Sequence, residues 1–179
     1  MAGQVTLLPL LCTQCKSPLP AQPGEIAWAC PQCQQGLLLD ENTGLQTLTI
    51  NYHASIPANG SGLPYWVSMG SVALNRKTFG GNSENEAARF WAAPRPFFIP
   101  AYNCKLDYLL EIGPRLVLQP PALQSGPAAR FAPVTTALAD LQPLAEFIVM
   151  GIEASRKDKL RELYLTVNLS APALWILPA

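Results

Sequence analysis

The sequence predicts an α+β fold: an N-terminal module built on four cysteines, then a small mixed sheet packed with about two helices. Three patterns carry this reading. The cysteines stand as C-x2-C-x14-C-x2-C at Cys12, Cys15, Cys30 and Cys33. Apolar side chains from Asp140 to Ala154 repeat at helical spacing. The chain closes with two strand-like runs, Leu163 to Leu169 and Ala173 to Leu177. Composition divides the chain into a cysteine module over 1–52, a connection over 53–62 rich in Gly, Asn, Ser and Ala, and an α+β domain over 63–179.

Each CxxC pair can bend into a knuckle that aims two thiolates at one point. Two such knuckles complete a tetrahedral S4 set, so Cys12, Cys15, Cys30 and Cys33 read as the ligands of one structural zinc ion. Disulfides within the two pairs would be strained short loops, and nothing in the sequence suggests an oxidising compartment. Iron is the competing metal, because a rubredoxin-type site uses the same S4 tetrahedron, though with its knuckles much farther apart and glycines kept beside them. The second knuckle is Cys30-Pro31-Gln32-Cys33, and residues 10 to 50 resemble the zinc-ribbon superfamily, in which C-P-x-C is a recurring half-site. The resemblance implies a small ribbon sheet folded around structural zinc, and it names no activity. Zinc ribbons usually carry Gly directly after each knuckle; here Lys16 and Gln34 stand there, with Gly36 two residues late.

The stretch Leu7-Leu8-Pro9-Leu10-Leu11 before Cys12 is short, has no basic start and puts Leu rather than a small residue before the cysteine, so no targeting signal is expected. No run reaches ~18 apolar residues, so no transmembrane segment is expected and the chain is read as cytoplasmic. Charged residues make up 13% of the chain and hydrophobic ones 49%, with 12 basic and 12 acidic side chains. A surface so thinly and evenly charged favours association with other proteins or with further copies. It counts against nucleic acid, which needs clustered Lys and Arg. The ribbon offers only Lys16 against Glu25, Asp40 and Glu41; Arg156-Lys157-Asp158-Lys159 with Arg161 and Glu162 reads as a solvated helix face or turn.

Along the chain, Ile26-Ala27-Trp28-Ala29 alternates ahead of the second knuckle, with Ile26 and Trp28 on one face. Leu37-Leu38-Leu39 follows the knuckle, Asp40 to Gly44 turns, and Leu45 to Tyr52 returns as one strand. Pro64 to Leu74 has the aromatic and β-branched content of a strand, and its Tyr65 and Trp66 read as core rather than as a stacking platform. Thr78 to Asn82 marks a loop tip. Ser83 with Glu86 matches a capping box, but Pro94 and Pro96 favour an edge strand over 87–99 paired with 65–74. Asn103 is expected to cap a helix through Ile112, stopped by Gly113-Pro114. Cys104 at its start reads as a small buried thiol, and 119–133 as an exposed Pro-rich connection. The helix over 140–154 is apolar nearly all round and needs cover on more than one side.

No catalytic set emerges. His53 is the only histidine and has no nucleophile or acid placed beside it, the carboxylates are scattered, and Gly80-Gly81 lacks the lysine of a phosphate loop. Four thiolates leave a metal no open position for water. The sequence therefore reads as a non-enzymatic, zinc-binding accessory or assembly subunit that contacts other proteins. A nucleic-acid-associated ribbon protein and an iron redox carrier are the alternatives.

Overall fold

The computed structural model describes residues 10–79 and 83–179. The apolar residues Leu7 to Pro9, the Gly80–Asn82 part of the expected loop tip and the Ser83 side chain of the expected capping box lie outside the described residues. The elements are β1 (Ala27–Ala29), β2 (Gly36–Asp40), β3 (Gly44–Thr47), β4 (Ile50–Tyr52), β5 (Ser61–Thr78), α1 (Ser83–Trp91), β6 (Arg95–Pro100), α2 (Leu106–Leu118), β7 (Arg130–Phe131), α3 (Leu141–Ala154), β8 (Leu160–Leu169) and β9 (Ala173–Pro178). This is the expected α+β class, with the cysteine module leading.

Strands β1, β2 and β3 form a small antiparallel sheet. The Asp40 carboxylate turns its hairpin by accepting the Asn42 and Thr43 amides at 3.0 and 2.9 Å. The strand expected from Leu45 to Tyr52 is divided. Thr47 ends β3, and β4 crosses to the larger sheet, where Ile50 to Tyr52 run parallel to Leu174 to Ile176. That sheet has the order β4-β9-β5-β6. Strands β8 and β9 follow one another along the same side of β5, separated by Ser170-Ala171-Pro172. Ser170 bridges this break: its N–H donates to Met69 O at 2.8 Å, and its Oγ accepts the Met69 N–H at 3.1 Å.

The core lies mainly on one face of the sheet. Trp66, Phe97, Ile99, Val167, Leu174 and Ile176 meet Ala145, Ile148, Val149 and Ile152 of α3, all of them buried. Trp66 also donates its Nε1–H to Thr136 O at 2.9 Å, which fixes it as core. Tyr65, Phe98 and Leu177 form a smaller cluster on the opposite face with Ile112 of α2. The ribbon is stitched to this body through Ile26, whose N–H donates to Val134 O at 2.8 Å, and through Ala27 and Leu38, which enter the main core. Ile26 and Trp28 therefore part company: Ile26 packs on the main core and Trp28 on the ribbon's own.

Three local expectations are corrected. Residues 83–91 are helical, and the edge strand begins only at Arg95, pairing Tyr65–Gly70. Ala87 and Trp91 are buried, so the amphipathic run is used as a helix that ends before Pro94, while Pro96 lies within β6. Helix α2 starts after Lys105, without a cap from Asn103, and continues through Gly113-Pro114 to Leu118. Gly113 serves packing there: a Cβ would sit 2.6 Å from Ile148 Cγ1, so α2 can approach α3 only without one. The turn after α3 is not simply solvated. Arg76 of β5 is buried against Asp158 and Glu153, and Arg156 Nε also reaches Glu153 Oε2 at 2.8 Å. Trp91 Nε1–H donates to the other Glu153 oxygen at 2.8 Å.

Candidate metal centre

Two knuckles of matching backbone geometry build the site. In the first, the Cys12 N–H donates to Ser17 O and the Lys16 N–H to Cys12 O, at 2.8 and 3.0 Å. In the second, Cys30 N–H donates to Gln35 O and Gln34 N–H to Cys30 O, at 2.8 and 2.9 Å. Each loop must turn left-handed directly after its second cysteine, and Lys16 and Gln34 do so with φ of 62° and 61°. Those are the two places where zinc ribbons usually carry glycine. The late Gly36 answers a different need, since a Cβ there would lie 2.1 Å from Leu48 O. Removing the side chain from the second left-handed position should help. Non-Gly residues lose about 1–2 kcal/mol in this conformation, and glycine's extra unfolded-state freedom returns part of that. Gln34→Gly is therefore expected to stabilise the metal-loaded protein by about 0.5–1 kcal/mol, read as a raised melting temperature; an unchanged or lowered one would contradict the strain.

The knuckles bring all four predicted ligands together. The Sγ atoms of Cys12, Cys15, Cys30 and Cys33 lie within 4.8 Å of one another. Cys12 and Cys33 sulfurs are 3.6 Å apart, and those of Cys15 and Cys30 are 3.5 Å apart. A tetrahedron with metal–sulfur bonds near 2.3 Å has edges of about 3.8 Å, so the donor set fits a tetrahedral cation of zinc's size. Cys12 and Cys30 are buried with Leu19, Trp28 and Leu37, a wall that keeps water from two of the four sulfurs. The cluster is electrostatically divided. The Ser17 hydroxyl and amide draw the Cys15 thiol down to about 6. At Cys33 the Gln35 amide lowers the pKa, but burial and the neighbouring sulfurs outweigh it and push that thiol up to about 12. Four thiolates at this spacing repel, and a dication at their centre removes the conflict. Ser17 was not singled out from the sequence; its place two residues after Cys15 was the available signal.

The remaining candidates stand apart. His53 accepts the Ser55 N–H at Nδ1, 3.1 Å, which leaves Nε2–H to donate to Ala122 O at 2.9 Å. It ties the connection after β4 to the Pro-rich segment. Cys104 is half-buried, and burial pushes its thiol up, away from the thiolate that reactivity requires. It lines a groove of about 450 Å³ between the starts of α2 and α3, with Leu106, Leu109, Leu144 and Phe147 among its walls. Leu106 is 49% exposed and Phe147 41%. The apolar surround of α3 is covered by the sheet on one side and by α2 on another, where Gly113 packs against Ile148, while Leu110 and Met150 of the same helices stay partly exposed. No helix among the described residues is long and apolar enough to cross a membrane.

Compared with family models, curated proteins and solved structures, the chain matches none of them.

Proposed function

We propose that this chain is a zinc-ribbon protein that acts as a non-enzymatic accessory or assembly subunit in the cytoplasm, docking other proteins on a neutral, apolar surface. The observation that carries the reading is the exposed apolar surface of α2 and α3, with Leu106 and Phe147 lining an open groove and Leu110 and Met150 also exposed, in a chain of little charge. The four cysteines supply zinc's preferred ligand set, and a closed S4 site is a folding device rather than a reaction centre. When bound, the metal holds both knuckles and so fixes the small ribbon sheet against the body.

Affinity purification of the tagged chain after nuclease treatment tests this. Stoichiometric protein partners are expected, and they should be lost when Leu106 and Phe147 are both changed to Glu. Partners that persist in that variant, or binding only to nucleic acid with a steep salt dependence, would contradict the reading.

A further inference from the structure

The strand β8 has one side paired and one side open. Its bond from Ser170 N–H to Met69 O sets the alternation along the antiparallel ladder with β5. Residues alternating from Ser170 (Asn168, Thr166, Tyr164) direct their backbone groups to β5, and the intervening Leu163, Leu165 and Val167 direct theirs outward. The Val167 amide shows this independently, because its N–H points away from β5 to Glu146 Oε1 of α3, at 3.5 Å. No strand among the described residues pairs β8 on that side; β4 covers only Leu174–Ile176 of β9 farther along. A groove of about 640 Å³ spans both strands here, lined by residues 73–75 of β5 and 163–166 of β8 with Glu146 and Met150 of α3. Tyr164 and Met150, 65% and 38% exposed, flank it. The Glu146 carboxylate stands where the carbonyl of a neighbouring strand would accept the Val167 amide.

We infer that this edge pairs antiparallel with β8 of a second copy of the chain, joining the two larger sheets across a two-fold axis. A half-turn centred on Leu165 sets Leu165 against its own copy and Leu163 against Val167, so each outward amide meets an outward carbonyl. In that register Glu162 faces Asn168 and Arg161 faces Leu169, so no like charges lie directly opposite. Tyr164 faces Thr166 on the open face of the sheet. The chain's net charge is zero, so two copies approach without general repulsion. From Leu163 to Leu169 the edge carries no charged side chain of its own, and folded proteins rarely leave such a run unpaired in water.

Light scattering after size exclusion at micromolar concentration should give twice the 19.3 kDa chain mass. Amide hydrogen exchange supplies the readout that a folding defect cannot imitate. In wild-type protein the Leu163 and Leu165 amides should exchange at least tenfold more slowly in the dimer than after dilution to monomer. Leu165→Pro removes an amide that points outward, so the bonds to β5 survive while the added strand is blocked, and this variant should be monomeric. A wild-type monomer at all concentrations would overturn the inference. So would a dimer in which those two amides exchange as fast as in the monomer.

Discussion

Cys30→Ser is expected to abolish stoichiometric metal binding and to unfold the ribbon ahead of the rest of the chain. Cys30 is fully buried, stands 3.5 Å from the Cys15 sulfur and anchors its knuckle through the Gln35 carbonyl. A serine hydroxyl neither ionises near neutral pH nor matches zinc's preference for thiolate, so one vertex of the tetrahedron is lost. Structural zinc contributes on the order of 10 kcal/mol to modules of this kind, far more than a three-stranded sheet of short strands holds by itself. Metal analysis with limited proteolysis reads both effects. Full metal content with unchanged protease resistance would contradict the assignment of Cys30 as a ligand. Because Ala27 and Leu38 belong to the main core and Ala27 bridges to Val134, unfolding of the ribbon should also expose the body around Val134.

The second large effect is expected at Arg76. Its guanidinium is buried at the far end of β5, donating to Asp158 Oδ1 at 2.6 Å and to the Glu153 carbonyl at 3.2 Å. Its Nε stands 2.9 Å from Glu153 Oε2 as an ion-pair contact without the alignment of a hydrogen bond. The Asp158 hydrogen bond, opposed by burial, raises the Arg76 pKa, so the charge is kept. Arg76→Met removes the buried guanidinium that the Asp158 and Glu153 carboxylates share. Breaking one partner of such a set costs about 3–5 kcal/mol, to be measured as a lower midpoint in equilibrium urea unfolding. A loss below about 1 kcal/mol would mean that the cluster relaxes into water. The cluster joins β5, α1, the end of α3 and the turn before β8, so its loss should be felt in global unfolding rather than at one loop.

Features set by short-range patterns were legible in the sequence. The metal ligands follow from spacing within two tight loops, and α3 follows from a run of apolar residues at helical period. The β8 and β9 runs were visible for the same reason, with Ser170-Ala171-Pro172 marking the break between them. What depends on partners far along the chain was not legible. Gly113 looks like a helix stop until Ile148 is seen packed where its Cβ would be. Arg156 and Asp158 look like a solvated turn until Arg76 and Glu153 are brought beside them. Leu45 to Tyr52 looks continuous because nothing local says that its first half pairs β2 and its second half β9. At the metal centre the residues are legible, but the backbone is less so: Lys16 and Gln34 hold the left-handed conformation that glycine would have announced.

The most direct measurement is metal analysis of the purified chain combined with X-ray absorption at the bound metal's edge. One zinc ion per chain, surrounded by four sulfurs at about 2.3 Å, is the expected result, and it would establish Cys12, Cys15, Cys30 and Cys33 as a closed structural site. Iron in that place, a first shell containing oxygen or nitrogen, or a metal-free protein whose ribbon stays folded would contradict it.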